Sequence, residues 1–366
     1  MKRLTSILLF ALCIVSSTTA STTLTPDGTW ITPDNKDIQY VGRIDFSNPK
    51  RPAFNFPGVE IRAAFEGTSL KMMARPKSGY FMVQIDGCKV FKVGFNAEKD
   101  SVVTLTTALS AGRHTVRACY AIEGLFRNPE FWGFILDAGC GLLTPEPLPS
   151  RKIEFIGNSI TCGYGVESID RSDPFEDETE NHFYTYANIV SERLNAIHTS
   201  ISRSGIGVYR LYNGPREGNP DAMPKEFPYT LFNNHARVWD FSLWQPDVVC
   251  INLGTNDFST NNYDPKRYEE AYRSFLKQLR EVYPTQKIVL LTGTMLLEKE
   301  NDIQKTILNR IAADCRKAGD KNIYRFDMTP QTGDLGYGAS SHPSFRQHQK
   351  MADELTPFLR EIMGWQ

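Results

Sequence analysis

The spacing of hydrophobic residues changes once along this chain, and the change falls on a connector punctuated by Pro145, Pro147 and Pro149. Upstream, from about residue 30 to 148, apolar residues come in short alternating runs, the period of half-buried strands. Downstream they recur every three to four residues between short all-apolar runs, the pattern of helices alternating with buried strands. Prolines so spaced fix φ and deny helix, so the connector reads as a boundary. At roughly 150 residues per domain, a chain of 366 residues suggests about two domains, and each half is long enough to bury its own core.

The first twenty residues read as a leader. Lys2 and Arg3 precede a short apolar run from Ile7 to Val15, and Thr18-Thr19-Ala20 ends it. That is the layout of a cleavable secretory signal, with an apolar run too short to span a bilayer. The expectation is a secreted or periplasmic protein, not held in a membrane, with domains over residues 21–148 and 149–366. Removing Lys2 and Arg3 from 41 basic residues leaves 39 against 42 acidic ones, a balance of −3. Such a balance excludes a nucleic-acid-coating protein, and 11% aromatic residues exclude a disordered one.

Cys13 leaves with the leader, and six cysteines remain: Cys88, Cys119, Cys140, Cys162, Cys250 and Cys315. Export permits disulfides, but this is too few for a disulfide framework. With no Cys-x-x-Cys pair, no structural zinc site is expected. Most of these thiols read as small buried hydrophobes, and neither metal nor cofactor is called for.

In the first half, strands are predicted over residues 60–65, 69–75, 80–85, 89–94, 101–106, 114–121 and 131–137. Asp86-Gly87 between two alternating segments signals a two-residue hairpin with positive φ. Short strands without a credible helix imply a β-sandwich of jelly-roll type. In the second half, strands are predicted at 153–157, 198–202, 247–253, 287–292 and 322–327, with helices at 182–197, 267–283, 301–318 and 344–363. Tyr268, Tyr272, Phe275, Leu276, Leu279 and Tyr283 make a clean helical stripe. Alternation of this kind means an open parallel sheet with helices on both faces.

Parallel sheets place their sites at the C-terminal ends of the strands, and three polar loops stand there. Gly157-Asn158-Ser159-Ile160-Thr161 follows the first strand; small neighbours leave Ser159 room to meet a substrate carbonyl, although this is not a Gly-x-Ser-x-Gly elbow. Gly254-Thr255-Asn256-Asp257 follows the third, and Asn256 offers an N–H donor for an oxyanion. Ser204-Gly205 follows the second and offers backbone N–H groups. Thr, Asn, Asp and paired Gly also make ordinary turns and caps. A serine nucleophile needs a base, and of six histidines, His342, held by Pro343 beyond the last strand, shares the sheet edge with Ser159. His114 and His198 lie in strand patterns as structural side chains; His182, His235 and His348 read as surface residues.

Together these blocks resemble the SGNH, or GDSL-type, hydrolases, carrying Ser159, Gly205, Asn256 and His342 in the family order. Tyr40-Val41-Gly42-Arg43 and Phe56-Pro57-Gly58-Val59-Glu60-Ile61-Arg62, in a sandwich preceding such a hydrolase, are similar to carbohydrate esterase family 2. The resemblance implies a jelly-roll-like sandwich joined to a flavodoxin-like, three-layer α/β hydrolase domain. It also implies an acetylesterase acting on plant polysaccharides such as acetylated xylan or glucomannan, without cofactor. Two positions depart from the family pattern. Asn158 replaces an Asp, and the Asp expected two or three residues before His342 is missing, since Ala339 and Ser340 stand there. A Ser159–His342 dyad oriented by a backbone carbonyl is the preferred reading, with Asp334 as the alternative third member. Catalysis would pass through an acyl-enzyme, with the oxyanion held by Ser159 N–H, Gly205 N–H and Asn256, and an ordinary histidine pKa of roughly 6.5 would set the acid limb of the rate. The rival readings are a general lipase or thioesterase on this scaffold and a carbohydrate-binding protein with an inactive hydrolase domain. Tyr209, Tyr212, Phe258 and Tyr263 are candidates to stack on a sugar ring.

Overall fold

The computed structural model describes residues 22–25, 28–260 and 262–366; the leader read at residues 1–20 lies outside them. Two antiparallel sheets fill the N-terminal half. One runs, in spatial order, Thr22–Thr25, Gly28–Ile31, Phe131–Leu136, Leu70–Ala74 and Val102–Thr106. The other runs Leu142–Leu143, Glu60–Glu66, Arg113–Tyr120, Gly79–Ile85 and Phe91–Phe95, with Ile38–Val41 also paired to Glu60–Glu66. Phe54, Phe81, Tyr120, Phe131 and Phe134 are wholly buried in one core, where each such side chain contributes on the order of 1.5–3 kcal/mol. Both Asp86 and Gly87 take positive φ, 52° and 67°. The ladder nevertheless resumes only at Val83↔Phe91, so the loop is wider than the two residues expected.

In the C-terminal half five strands form a parallel sheet ordered Ala196–Ser202, Arg151–Gly157, Val248–Ile251, Lys287–Thr292 and Ile323–Asp327. This is the flavodoxin-like order, whose crevice lies where the winding reverses beside the first strand. Alternate residues of each strand point to opposite faces. Ile288 and Leu290 pack with Tyr268, Tyr272, Phe275 and Leu279 of the helix Pro265–Val282 and with Ile307, Leu308 and Ile311 of the helix Glu298–Lys317. Val289 and Leu291 pack on the other face with Tyr186 and Val190 of the helix Tyr186–Arg193 and Met351 and Leu355 of the helix Phe345–Met363. Ends follow local chemistry: Asp264 caps one helix and Ser344 another through side-chain oxygens.

The helix predicted over 182–197 is broken. Asn181 caps a short turn His182–Tyr184, Thr185 is extended, and the α-helix runs only Tyr186–Arg193 before Asn195 turns with φ 48°. Between residues 203 and 247 the chain also forms a helix Met223–Glu226 and a hairpin of Tyr229–Leu231 with Asn234–Val238.

The two halves are bound through buried groups. Arg43 is enclosed by the rings of Phe56, Phe227, Trp239 and Phe241, donates to the carbonyls of Phe227 and Tyr229, and lies 4.0 Å from Glu154 of the first parallel strand. Val41 packs with Ile197, Trp239 and Trp244.

Candidate active site

The strand Arg151–Gly157 delivers Ser159 as the first residue of a four-residue helix, Ser159–Cys162, whose cap is Asn158. The Asn158 Oδ1 accepts from the Ile160 N–H at 3.0 Å. Asn caps a helix about as well as Asp, so this departure from the family pattern keeps the local turn. Register Gly157↔Ser202 and Ile156↔Ile251 sets the loops bearing Ser159, Gly205 and Asn256 at one sheet edge.

His342 arrives from the other end of the chain. Its Nε2 lies 2.9 Å from Ser159 Oγ, and its Nδ1 lies 3.1 Å from the Ala339 carbonyl oxygen. The imidazole thus has one nitrogen on the serine and the other on backbone. Asp334 is exposed and its carboxylate accepts from the Thr332 hydroxyl. Burial lowers the His342 pKa to about 4, opposed by the hydrogen bonds to the backbone of Ala339 and Ser340. The ordinary value near 6.5 expected from sequence is displaced because the ring is partly buried. Ser340 and Ser341 hold left-handed φ of 49° and 61°, a strained choice for non-glycine residues. Their loop is anchored by Ala339 N–H to Gly165 O, Ser340 N–H to Asp173 O and Ser341 N–H to Arg171 O, at 3.0–3.1 Å.

Opposite, the N–H groups of Ser159 and Gly205 have no acceptor among the described residues. Asn256 Nδ2 donates to the Ile206 carbonyl at 2.7 Å, which leaves its second hydrogen unassigned. Sequence reading missed the role of Asp257. Its buried carboxylate accepts from the backbone N–H groups of Val208, Tyr209 and Arg210 at 2.8–3.3 Å, tying the loop of Gly205 to that of Asn256. Burial raises its pKa to about 6, with those N–H bonds working against the shift. Its place beside Asn256 was the only available signal.

Other sequence readings are corrected. His182 and His348, expected at the surface, are wholly buried: His182 Nε2 lies 2.9 Å from His198 Nε2, and His348 Nδ1 accepts from the Tyr186 N–H. His235 is exposed, as expected, and bonds Glu226, while His114 bonds Asp86 and Ser110, the structural role foreseen. Cys119, Cys162 and Cys250 are buried, Cys140 and Cys315 partly so, and Cys88 is exposed. Of the four proposed stacking rings, Tyr209 and Phe258 are buried and Tyr263 bonds Glu300 through its hydroxyl. Only Tyr212, 62% exposed and hydrogen-bonded through its N–H to the Gly205 carbonyl, presents a free ring.

Residues 40–147 match the family described as carbohydrate esterase 2 N-terminal, and residues 153–355 match GDSL-like lipase/acylhydrolase. The chain is 37% identical over 335 residues to cellulase/esterase CelE of Acetivibrio thermocellus, an alignment covering 91% of this chain and 40% of that protein. It is 28% identical to an acetylxylan esterase / glucomannan deacetylase of Cellvibrio japonicus, across 90% and 89% of the two chains. Its fold superposes with TM-score 0.83 on a family two carbohydrate esterase from Clostridium thermocellum in complex with cellohexaose, at 35% identity over 90% of this chain and 100% of that one.

Proposed function

The chain belongs to the family 2 carbohydrate esterases, with a hydrolase half of GDSL type, and from that premise we propose that it removes O-acetyl groups from plant polysaccharides, acetylated xylan or glucomannan among them. The observation that carries the reading is the 2.9 Å contact between His342 Nε2 and Ser159 Oγ. In the first step His342 Nε2 takes the Ser159 proton while Oγ attacks the acetyl carbonyl. The oxyanion is met by the N–H of Ser159, the N–H of Gly205 and the Asn256 side chain. Collapse breaks the ester bond, and the departing sugar oxygen takes the proton from His342. Water, deprotonated by the same nitrogen, then attacks the acyl-enzyme; acetate leaves and Ser159 is restored. The His342 Nδ1–H, donated to the Ala339 carbonyl, holds the ring in the tautomer this requires.

Polysaccharide as the partner, rather than nucleic acid or membrane, fits the near-neutral charge and the exposed Tyr212 ring beside Gly205. No helix of the described residues is long and apolar enough to cross a membrane, and we read the leader at residues 1–20 as directing export. Acetate release from acetylated xylan and glucomannan, measured for the parent and for Ser159→Ala, tests the assignment. The substitution should abolish release, and full retention would sink the acyl-enzyme route. Comparing acetyl with octanoyl esters separates this reading from a general lipase.

A further inference from the structure

The strand Arg113–Tyr120 belongs to the sandwich, yet the segment leaving it reaches the residues next to the reaction site of the other half. Ala121 and Ile122 are wholly buried, and the Ala121 carbonyl accepts from the His182 N–H at 2.7 Å. Glu123 follows. Its Oε2 accepts from the Ser204 N–H at 2.7 Å and from the Cys162 thiol at 3.8 Å, while its own N–H donates to Glu180 Oε2 at 3.0 Å. One carboxylate oxygen from the sandwich therefore touches two of the three segments that carry the oxyanion donors, those of Ser159 and Gly205.

The consequence for Gly205 is geometric. Ser204 immediately before it is pinned through its N–H by Glu123, and the Gly205 carbonyl is pinned by the Tyr212 N–H at 2.7 Å. Between these anchors stands the Gly205 N–H, which has no acceptor among the described residues. Gly205 has φ 78°, where glycine turns freely, so its N–H direction depends on the anchors. On the other side, Cys162 closes the short helix that Ser159 opens, and its thiol also lies 3.3 Å from Ser202 Oγ.

The arrangement is costly in the absence of such a role. The oxygens of Glu123 and Glu180 and the Cys162 sulfur lie within 4.8 Å of one another, and Glu180 is wholly buried with Oε1 lacking a partner. Enclosed carboxylates destabilise a fold unless hydrogen bonds compensate. Burial raises the Glu123 carboxyl above its usual value, with the Ser204 N–H and the Arg203 charge opposing.

We infer that Glu123 is a positioning residue for the acyl transfer, holding the Arg203–Ser204 peptide that precedes Gly205 so that the Gly205 N–H points at the developing oxyanion, and that the sandwich thereby supplies part of the catalytic geometry. This rests on the acyl-transfer reading above. Three variants test it by acetate release: Glu123→Gln, Glu123→Asp and Glu123→Ala. Gln keeps an acceptor in place for the Ser204 N–H and should retain kcat to within about threefold. Asp keeps the charge but withdraws the acceptor by one methylene. It should lose about 10- to 100-fold in kcat, as a displaced catalytic group does, with KM within about twofold. Ala should lose at least as much; should it not fold, the contrast between Asp and Gln decides the matter. Equal kcat for Asp and Gln, or a loss carried by KM instead, overturns the inference. Ser159→Ala assayed alongside keeps the two readings apart. If that variant stays active the acyl-transfer reading fails, whereas its inactivity together with an unimpaired Glu123→Asp defeats the role of Glu123 alone.

Discussion

The Tyr164 ring stacks on the His342 imidazole, centroids 4.0 Å apart and planes 23° from parallel. Tyr164 is itself backed by Phe175 at 4.5 Å, so one face of the partly buried base is screened from water, and burial lowers its pKa to about 4.

This fixes the pH dependence. A general base works when neutral, and a histidine of pKa about 4 is neutral at every pH above roughly 5. The ratio kcat/KM reports the free enzyme, so its acid limb should break near pH 4 and fall by a factor of ten per unit below it, with no break near 6.5. Tyr164→Ala admits water to the ring and should move the limb upward toward the ordinary value of about 6.5. A parent profile already breaking at 6.5 would contradict the enclosure argument.

The orienting group of His342 separates dyad from triad. Because Nδ1 faces the Ala339 carbonyl and Asp334 is exposed beside Thr332, Asp334→Asn should leave kcat within about twofold of the parent. In a working triad the equivalent change costs on the order of 10⁴. A loss of that size in steady-state assays would show that Asp334 swings onto the ring in the substrate complex.

What the residues disclosed in advance follows from which signals are local. The stripe of Tyr268, Tyr272, Phe275 and Leu279 announces its helix because burial on one face imposes the period. The four blocks announce the site because strand ends supply its loops. The backbone at Ser340 and Ser341 was illegible: left-handed φ is normally advertised by glycine, and here tertiary bonds from Arg171 and Asp173 enforce it on serine. The buried His182 and His198 pair was illegible for the same reason, since polar neighbours in sequence say nothing of a partner sixteen positions away. Glu123 lies outside every block, in a segment whose only local mark was a strand ending.

Two adjacent residues should give opposite signatures. Asn256→Ala removes an oxyanion donor and should lower kcat by about 10²–10³. Its stability should change little, because the lost bond is a single one to Ile206. Asp257→Ala strips three buried N–H groups of their acceptor, each worth about 1–3 kcal/mol when left unpaired. Urea unfolding should register a loss of several kcal/mol, on that scale, with the kcat loss following as the Gly205 loop slackens. Equal stability of the two variants would show that the carboxylate does not hold the loops together.

Gly165 offers the sharpest test of the loop that presents the base. Its φ is 57°, its carbonyl accepts the Ala339 N–H at 3.0 Å, and a Cβ there would overlap the Ala339 Cβ and stand 2.8 Å from the Ala339 nitrogen. Ala339 in turn carries the carbonyl that receives His342 Nδ1. Gly165→Ala must therefore push the orienting carbonyl, and with it the imidazole, away from Ser159. The loss in kcat should be about 10²-fold, the cost of a displacement near 1 Å. Strain alone is controlled by Gly139→Ala, where φ is 83° but no atom lies within 4 Å of the new Cβ. That variant bears the left-handed penalty of about 1–2 kcal/mol and should keep its kcat. If both variants lose activity alike, backbone strain and not the contact with Ala339 sets the position of His342.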